Sequence, residues 1–293
     1  MKIKILATLF LFLIFQSGAY AININSCQTI TSSGVYNLTT DILDYQGTVC
    51  FNITASNVIL DCGNRRIDGV YSAYTYAIYS YFYDQIIIRN CVITDWHYGI
   101  YFWGSNYCKV ENTVFNNNAV GINLHYSGNS LYRNLSFSNF PSGTAMKFSF
   151  DSNNNNITNS TFKNGYNAIN LHYSYNNVFW FNRFESLSYY AIWTSYSGGN
   201  VFYNNLFNSS YLAYLQYSSD HFNTTMQLGQ RIYSLGDYIG GNYWTNPSGN
   251  GYSDTCADSN RDGFCDEPYV LAENNIDYLP YSDEYIPTTT TTT

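Results

Sequence analysis

Apolar and polar residues alternate along this chain in short runs, and the runs recur. A tetrad of small, apolar, polar and apolar-or-small residues at Ala77-Ile78-Tyr79-Ser80 returns as Gly99-Ile100-Tyr101-Phe102, Gly121-Ile122-Asn123-Leu124 and Ala145-Met146-Lys147-Phe148. It continues as Ala168-Ile169-Asn170-Leu171 and Ala191-Ile192-Trp193-Thr194, with a weaker copy at Ala213-Tyr214-Leu215-Gln216. The apolar anchors of these tetrads follow one another at intervals of 22 to 24 residues. A second series, Ile93, Phe115, Phe137, Phe162, Phe184 and Phe207, keeps intervals of 22 to 25. Two series with one period mark a repeat architecture. Alternation is the period of a strand, and no segment sustains helical spacing. Turn pairs such as Ser105-Asn106, Gly128-Asn129, Ser152-Asn153, Tyr175-Asn176 and Gly199-Asn200 separate the strands. The pattern predicts an all-β chain: a right-handed parallel β-helix of about seven coils, each about 4.8 Å above the last.

This fold gives the asparagines a place. Asn tolerates the left-handed turn conformation, and equivalent amides on successive coils can bond in a ladder. Asn90, Asn112, Asn134 and Asn159 fall in such a column. The small residues Ala77, Gly99, Gly121, Ala145, Ala168 and Ala191 form another column, against which something packs closely. Open ends of a strand stack invite aggregation. Residues 22–56 and 221–285 are therefore expected to cap a helix spanning 57–220.

Composition narrows the function. Only 11% of the 293 residues are charged and the net charge is −8. With no basic block, nucleic acid is excluded as a partner, since phosphate contact needs clustered Lys and Arg. Aromatic residues make up 19%, far too much apolar surface for a disordered chain. Residues 1–21 read as an export leader: Lys2 and Lys4, an apolar run from Ile5 to Phe15, then Ala19-Tyr20-Ala21. That run is too short to span a membrane, and no second one follows, so the mature product is expected to be secreted or at the cell surface. Export permits disulfides. Cys256–Cys265 and Cys27–Cys50 are the expected pairs, with Cys62, Cys91 and Cys108 read as buried small residues, at least one of them a free thiol. Seven N-x-S/T sequons fit an exported chain but arise easily in one rich in Asn, Ser and Thr. The closing threonine tract, 286–293, reads as a flexible stalk.

Two stretches carry a family resemblance. The first runs Ser33-Gly34-Val35-Tyr36, Cys50, then Ala55-Ser56-Asn57-Val58-Ile59-Leu60-Asp61-Cys62-Gly63 and Ile67-Asp68-Gly69. The second runs Gly241-Asn242-Tyr243-Trp244, Ser253-Asp254, Asp258-Ser259-Asn260-Arg261-Asp262-Gly263, Asp266-Glu267-Pro268-Tyr269 and Asp277-Tyr278-Leu279-Pro280. Over residues 27–281 the chain resembles NosD-type, pectin-lyase-like β-helix proteins, above all those of archaeal cell surfaces. The resemblance implies a parallel β-helix outside the cytoplasm, and the family's association with copper raises a copper-delivery role. A fold of this kind does not by itself carry an activity.

Four chemistries are open to these residues. Asp258, Asn260, Asp262 and Asp266 stand at positions 1, 3, 5 and 9 of an EF-hand-like loop, with Gly263 at the sharp turn and the Phe264 carbonyl at position 7. Hard oxygen donors at that spacing suit a structural calcium, with Asp254 or a tail residue completing the shell. Position 12 is Tyr269, not the usual Glu, so an Asx-rich turn stapled by Cys256–Cys265 is the plainer reading. Copper needs clustered His, Met or thiolate. The best pair, His125 and His172, sits on one column but two coils apart, roughly 10 Å, so copper is not expected. Glycan cleavage needs paired carboxylates about 5–9.5 Å apart. Asp84, Asp95, Glu111, Asp151 and Glu185 show no such motif, and Arg89, Glu111 and Arg133 read as a charge ladder. Finally, Tyr76/Tyr98, Tyr79/Tyr101 and Tyr81/Trp103 are each 22 apart, so their rings should stack on the outer face, with Trp193 further along the Tyr79 column. Tyr79, Tyr81, Tyr101 and Trp103 are thus the candidate ligand contacts, for sugar rings; the plainer reading is that such ladders only stabilise the stack. The chain is expected to bind glycan or another surface component without catalysis. A polysaccharide lyase or hydrolase is the alternative, and a copper-delivery accessory the third.

Overall fold

The computed structural model describes residues 21–284; the export leader up to residue 20 and the threonine tract lie outside the described residues. The alternating runs form strands, and the strands pair in parallel with the strand one coil on, so that the chain winds into a parallel β-helix with three strands per coil. One sheet stacks Tyr76–Tyr81, Tyr98–Trp103 and Val120–His125, then the second halves of the long strands Leu131–Ser149 and Thr161–His172, then Tyr190–Ser195 and Tyr211–Gln216. The Phe115 series forms a second sheet, which ends on Tyr243–Thr245. The ladders also reach further back than the repeat read from sequence. Gln28–Ile30 pairs with Val49–Ile53, which pairs with Tyr76–Tyr81. Phe51 stands beside Ile78, a step of 27 residues that the 22-to-25 period does not reveal. At the far end, the hairpins Gln227–Leu228/Tyr238–Ile239 and Tyr269–Ala272/Asn275–Asp277 and a short helix, Tyr252–Thr255, replace the coil pattern.

The partner of the small column is a column of rings. Phe115, Phe137, Phe162, Phe184 and Phe207 stack and end on Trp244, with centroids 4.3–5.0 Å apart and planes within 8° of parallel. A Cβ added at Gly99 would come within 2.9 Å of the Phe115 ring, and one at Gly121 within 2.6 Å of Phe137. Small residues there let the ring column close on the sheet.

Asparagine occupies two kinds of column. On the surface, Asn90 donates to Asp61, Asn112 to Asn90 and Asn134 to Asn112, at 2.7–3.2 Å, and all three asparagines have positive φ. Inside, the backbone N–H and side-chain amide of Asn182 both donate to Asn205 Oδ1; Asn205 does the same to Asn242, and Asn242 to Asp277 Oδ2. These residues are fully buried. Buried backbone polar groups need partners, and this second column supplies them where the chain turns between sheets.

Cys27–Cys50 and Cys256–Cys265 are bonded as expected, and so are Cys62 and Cys91, which corrects their reading as buried small residues. Asp61 pairs with Arg89 in register, and Cys62 and Cys91 stand one and two residues past that pair, with Cα atoms 4.8 Å apart; their 29-residue separation hides this from the repeat. Cys108 is buried and free, and burial pushes its thiol up to about 12. The charge ladder stands in register, Glu111 beside both Arg89 and Arg133, and runs one coil further back to Asp61. Glu111 binds Arg133 at 2.6 Å and Lys109 at 2.8 Å, but Arg89 turns away to Asp61 at 2.7 Å. Burial alone would raise the Glu111 carboxyl, and its hydrogen bonds from Lys109 and Arg133 outweigh that and lower it.

Candidate functional site

The register puts Tyr98 beside Tyr76, Tyr101 beside Tyr79 and Trp103 beside Tyr81 on one outward sheet face. Their rings do not all behave alike. Tyr76 and Tyr98 lie parallel, 5.2 Å apart and 10° off, so each covers a face of the other. Tyr79 and Tyr101 are tilted by 44° at 5.8 Å, and Tyr81 and Trp103 by 58° at 5.7 Å. A tilted pair leaves part of a ring face turned outward. Tyr81 is 48% exposed. Burial among the rings, with Tyr98, Tyr76 and Tyr79 adjacent, pushes the Tyr101 phenol up to about 12, so it stays neutral. Tyr79, Tyr81, Tyr101 and Trp103 thus form one apolar, uncharged, partly open platform, which is chemistry suited to the apolar face of a sugar ring.

A further aromatic feature escaped the tetrad pattern. Immediately after the sheet strands, Tyr126, Phe150, Tyr173, Tyr196 and Tyr217 all hold positive φ and are exposed. Neighbouring rings along this ridge are 5.1–6.0 Å apart. A bulky side chain in the left-handed region is uncommon and costs on the order of 1–3 kcal/mol. At other corners of the same coils the chain uses Asn, as at Asn112, Asn134 and Asn176. The signal in sequence is an aromatic directly after each strand end (His125-Tyr126, Ser149-Phe150, His172-Tyr173, Ser195-Tyr196), two residues past each tetrad.

The acidic loop closes on itself. Asp258 is 3% exposed, and its two carboxyl oxygens accept the N–H groups of Asp262 and Gly263. Asn260 Oδ1 accepts the Asp262 N–H, and Asp262 Oδ1 that of Phe264. Asp266 folds back to Ser259, accepting its N–H and its hydroxyl. Gly263 has φ +86°. Positions 1, 3 and 5 thus carry oxygen donors of the hard kind that calcium takes, but those oxygens accept the loop's own N–H groups, and Asp258, Asp262 and Asp266 do not come together on one point. Arg231 stands at its edge, donating to the Gly263 carbonyl at 2.5 Å and lying 4.4 Å over the Phe264 ring. Asp254 is not part of this group. It accepts from Tyr243, Thr245 and its own helix start at Gly251.

His125 and His172 occupy one column with Ser149 between them. The Phe150 ring stands edge-on to both imidazoles, at 5.2 and 5.5 Å, so they do not converge. Met146 is in the core, and Cys108 is buried as a thiol. Among the described residues no three His, Cys, Asp or Glu come together to hold a metal ion. Of the acids, Asp95 touches Asp68: burial first, then that carboxyl neighbour, raises the Asp95 carboxyl.

The pattern of one protein family, described as "Periplasmic copper-binding protein (NosD)", matches residues 21–249. No curated protein matches the chain. Among solved structures, it is similar to the enzymatically active domain of tailspike protein 2 of bacteriophage CBA120, at 13% identity and a TM-score of 0.52, over 69% of this chain and 38% of that one. It is also similar to a mutant tailspike protein of E. coli bacteriophage HK620 in complex with a pentasaccharide, at 14% identity and a TM-score of 0.45, over 78% of this chain and 44% of that one. The chain spans about two fifths of these tailspikes, and at such identity the first likeness speaks for the fold alone. No helix among the described residues is long and apolar enough to cross a membrane.

Proposed function

The chain belongs to the NosD family, and we propose that this member is an extracytoplasmic β-helix protein that binds glycan on its aromatic sheet face and performs no chemistry on it. The observation that carries this reading is the in-register row of Tyr79, Tyr81, Tyr101 and Trp103 on the outward face, tilted where the Tyr76–Tyr98 pair is flat and with Tyr81 48% exposed. Three disulfides support a place outside the reducing cytoplasm. Against a lyase or hydrolase stands the sheet face itself: the strands from Tyr76–Tyr81 to Tyr211–Gln216 carry no Asp or Glu on it. Against copper delivery stand the separated imidazoles and the absence of a thiolate or Met cluster beside them. Incubation with a polysaccharide panel tests the reading. Binding without new reducing ends or unsaturated uronates is expected; cleavage products would replace it with the enzyme reading. Binding unchanged in a Tyr101→Ala, Trp103→Ala double variant would remove the platform from it.

Calcium at Asp258, Asn260, Asp262, the Phe264 carbonyl and Asp266 belongs to the same proposal, in a structural role at the C-terminal end. Millimolar calcium is expected to raise the melting temperature and chelator to reverse it. No shift in either direction would leave the Asx turn, the disulfide and Arg231 as the whole account of the loop.

A further inference from the structure

The face that begins at Tyr79 does not end there. Followed along the register, its column reads Tyr79, Tyr101, Asn123, Lys147, Asn170, Trp193 and Tyr214. A second group of rings therefore closes the far end. Trp193 meets Tyr214 edge-on at 5.9 Å and 87°, and Tyr190 is tilted 40° against Tyr214 at 5.6 Å. Between the two groups lie three coils without a ring in the column. From Tyr101 to Trp193 is four coil steps, about 19 Å.

The middle of that gap holds the only charge on the face. Lys147 is half-buried and, among the described residues, has neither an ion-pair nor a hydrogen-bond partner. Lys109, Arg89, Arg133 and Arg183 each sit on a carboxylate instead. No Asp or Glu shares the face strands, so an unopposed cation stands at the centre of an uncharged strip in a chain of net charge −8. Asn170, half-buried, flanks it on one side with an amide donor and acceptor, while Asn123 on the other side is 5% exposed and bonded to the Tyr101 hydroxyl. The exposed ridge of Tyr126, Phe150, Tyr173 and Tyr196 runs along one side.

We propose that this face binds one anionic glycan chain laid along the helix axis, its ends on the two ring groups and an acidic sugar substituent on Lys147. The proposal rests on the glycan reading above and narrows it to charge, direction and length. A sugar residue repeats at about the coil rise of roughly 5 Å, so the platform-to-platform span takes about four to five residues.

The test uses hexagalacturonate, trigalacturonate and neutral cellohexaose, titrated into the whole protein by calorimetry. Hexagalacturonate is expected to bind at least about tenfold more tightly than the trimer, because only the longer chain engages both ring groups. Lys147→Gln should weaken hexagalacturonate about two- to fivefold and flatten its salt dependence. Trp193→Ala should bring the hexamer down to the affinity of the trimer. Melting curves of both variants establish that they fold. Equal binding of hexamer and trimer, or an affinity for hexagalacturonate that ignores Lys147→Gln, overturns the proposal. Cellohexaose binding as tightly as the uronate, and lost with Tyr101→Ala and Trp103→Ala, overturns it while leaving the glycan reading standing. No binding by any of the three saccharides overturns it too, and the wider polysaccharide panel then decides the glycan reading separately.

Discussion

Inside the helix and outside it, this chain stacks aromatic rings one per coil at nearly the same interval, with opposite results. The inner column from Phe115 to Trp244 is parallel to within 8° and fully buried, so every ring face is spent on its neighbours. The outer pairs Tyr79–Tyr101 and Tyr81–Trp103 are tilted by 44° and 58° and only partly covered. The polar end of a tyrosine keeps its ring at the surface, where nothing above the sheet forces it flat. Repetition alone therefore does not fix how rings pack: outside the helix, flat pairs such as Tyr173–Tyr196 and tilted pairs such as Tyr79–Tyr101 share the same coil spacing.

The largest effect should come from the inner column. Phe162→Ala is expected to cost about 3–5 kcal/mol, read as a fall in the denaturant midpoint. A loss below about 1 kcal/mol would mean that the column is not what holds the coils together.

The end of that column is next. The Trp244 indole donates to Asp277 Oδ2 at 2.8 Å. Burial pushes the Asp277 carboxyl up to about 7 from 3.8, against hydrogen bonds from Trp244, Leu279 and Asn242 that favour its charged form. A folded value above the unfolded one stabilises the fold fully below about pH 4, and that contribution is lost as pH rises to about 7. Asp61 and Glu111 are lowered, so their contribution is lost in the other direction, below about pH 4. Melting temperature should therefore fall between pH 4 and 7, and Asp277→Asn should flatten the slope. A wild-type slope unchanged by Asp277→Asn would detach the column's end from this carboxyl.

The outer pairs should respond in the opposite sense. Tyr101→Ala with Trp103→Ala is expected to cost only about 1–2 kcal/mol in stability but about tenfold in glycan affinity. Smallest of all, Tyr76→Ala should cost about 1 kcal/mol and leave binding within about twofold, because its ring is already paired flat with Tyr98. If Tyr76→Ala abolishes binding as fully as the double variant, the distinction between flat and tilted pairs is void.

Much of this is legible in the sequence. The tetrads place Tyr101 beside Tyr79 and Ile100 beside Ile78 by counting alone, because a parallel coil turns a sequence interval into a lateral neighbour. Left-handed Asn at 90, 112 and 134 follows from the same count. What counting cannot supply is depth and tilt. Asn182, Asn205 and Asn242 look like turn asparagines in the sequence, yet they are buried, since burial depends on which sheet corner the turn rounds. The left-handed ridge from Tyr126 to Tyr217 was hidden because alternation was read only to the strand end. Cys62–Cys91 and the pairing of Phe51 with Ile78 were missed for one reason: both bridge a coil longer than the period.

The buried asparagine column has one more consequence. Asn205 and Asn242 each give two N–H groups forward and take two from behind, so the column has a direction, as a one-way queue does. A queue of that kind has no internal reason to stop. It stops at Asp277, whose side chain receives from Asn242 and, lacking an amide, has none to hand on. The carboxylate at 277 thus ends the side-chain relay of this column, whereas in its sister column Asp220 receives from Asn200 in the same way and its backbone N–H still donates on to Asn275.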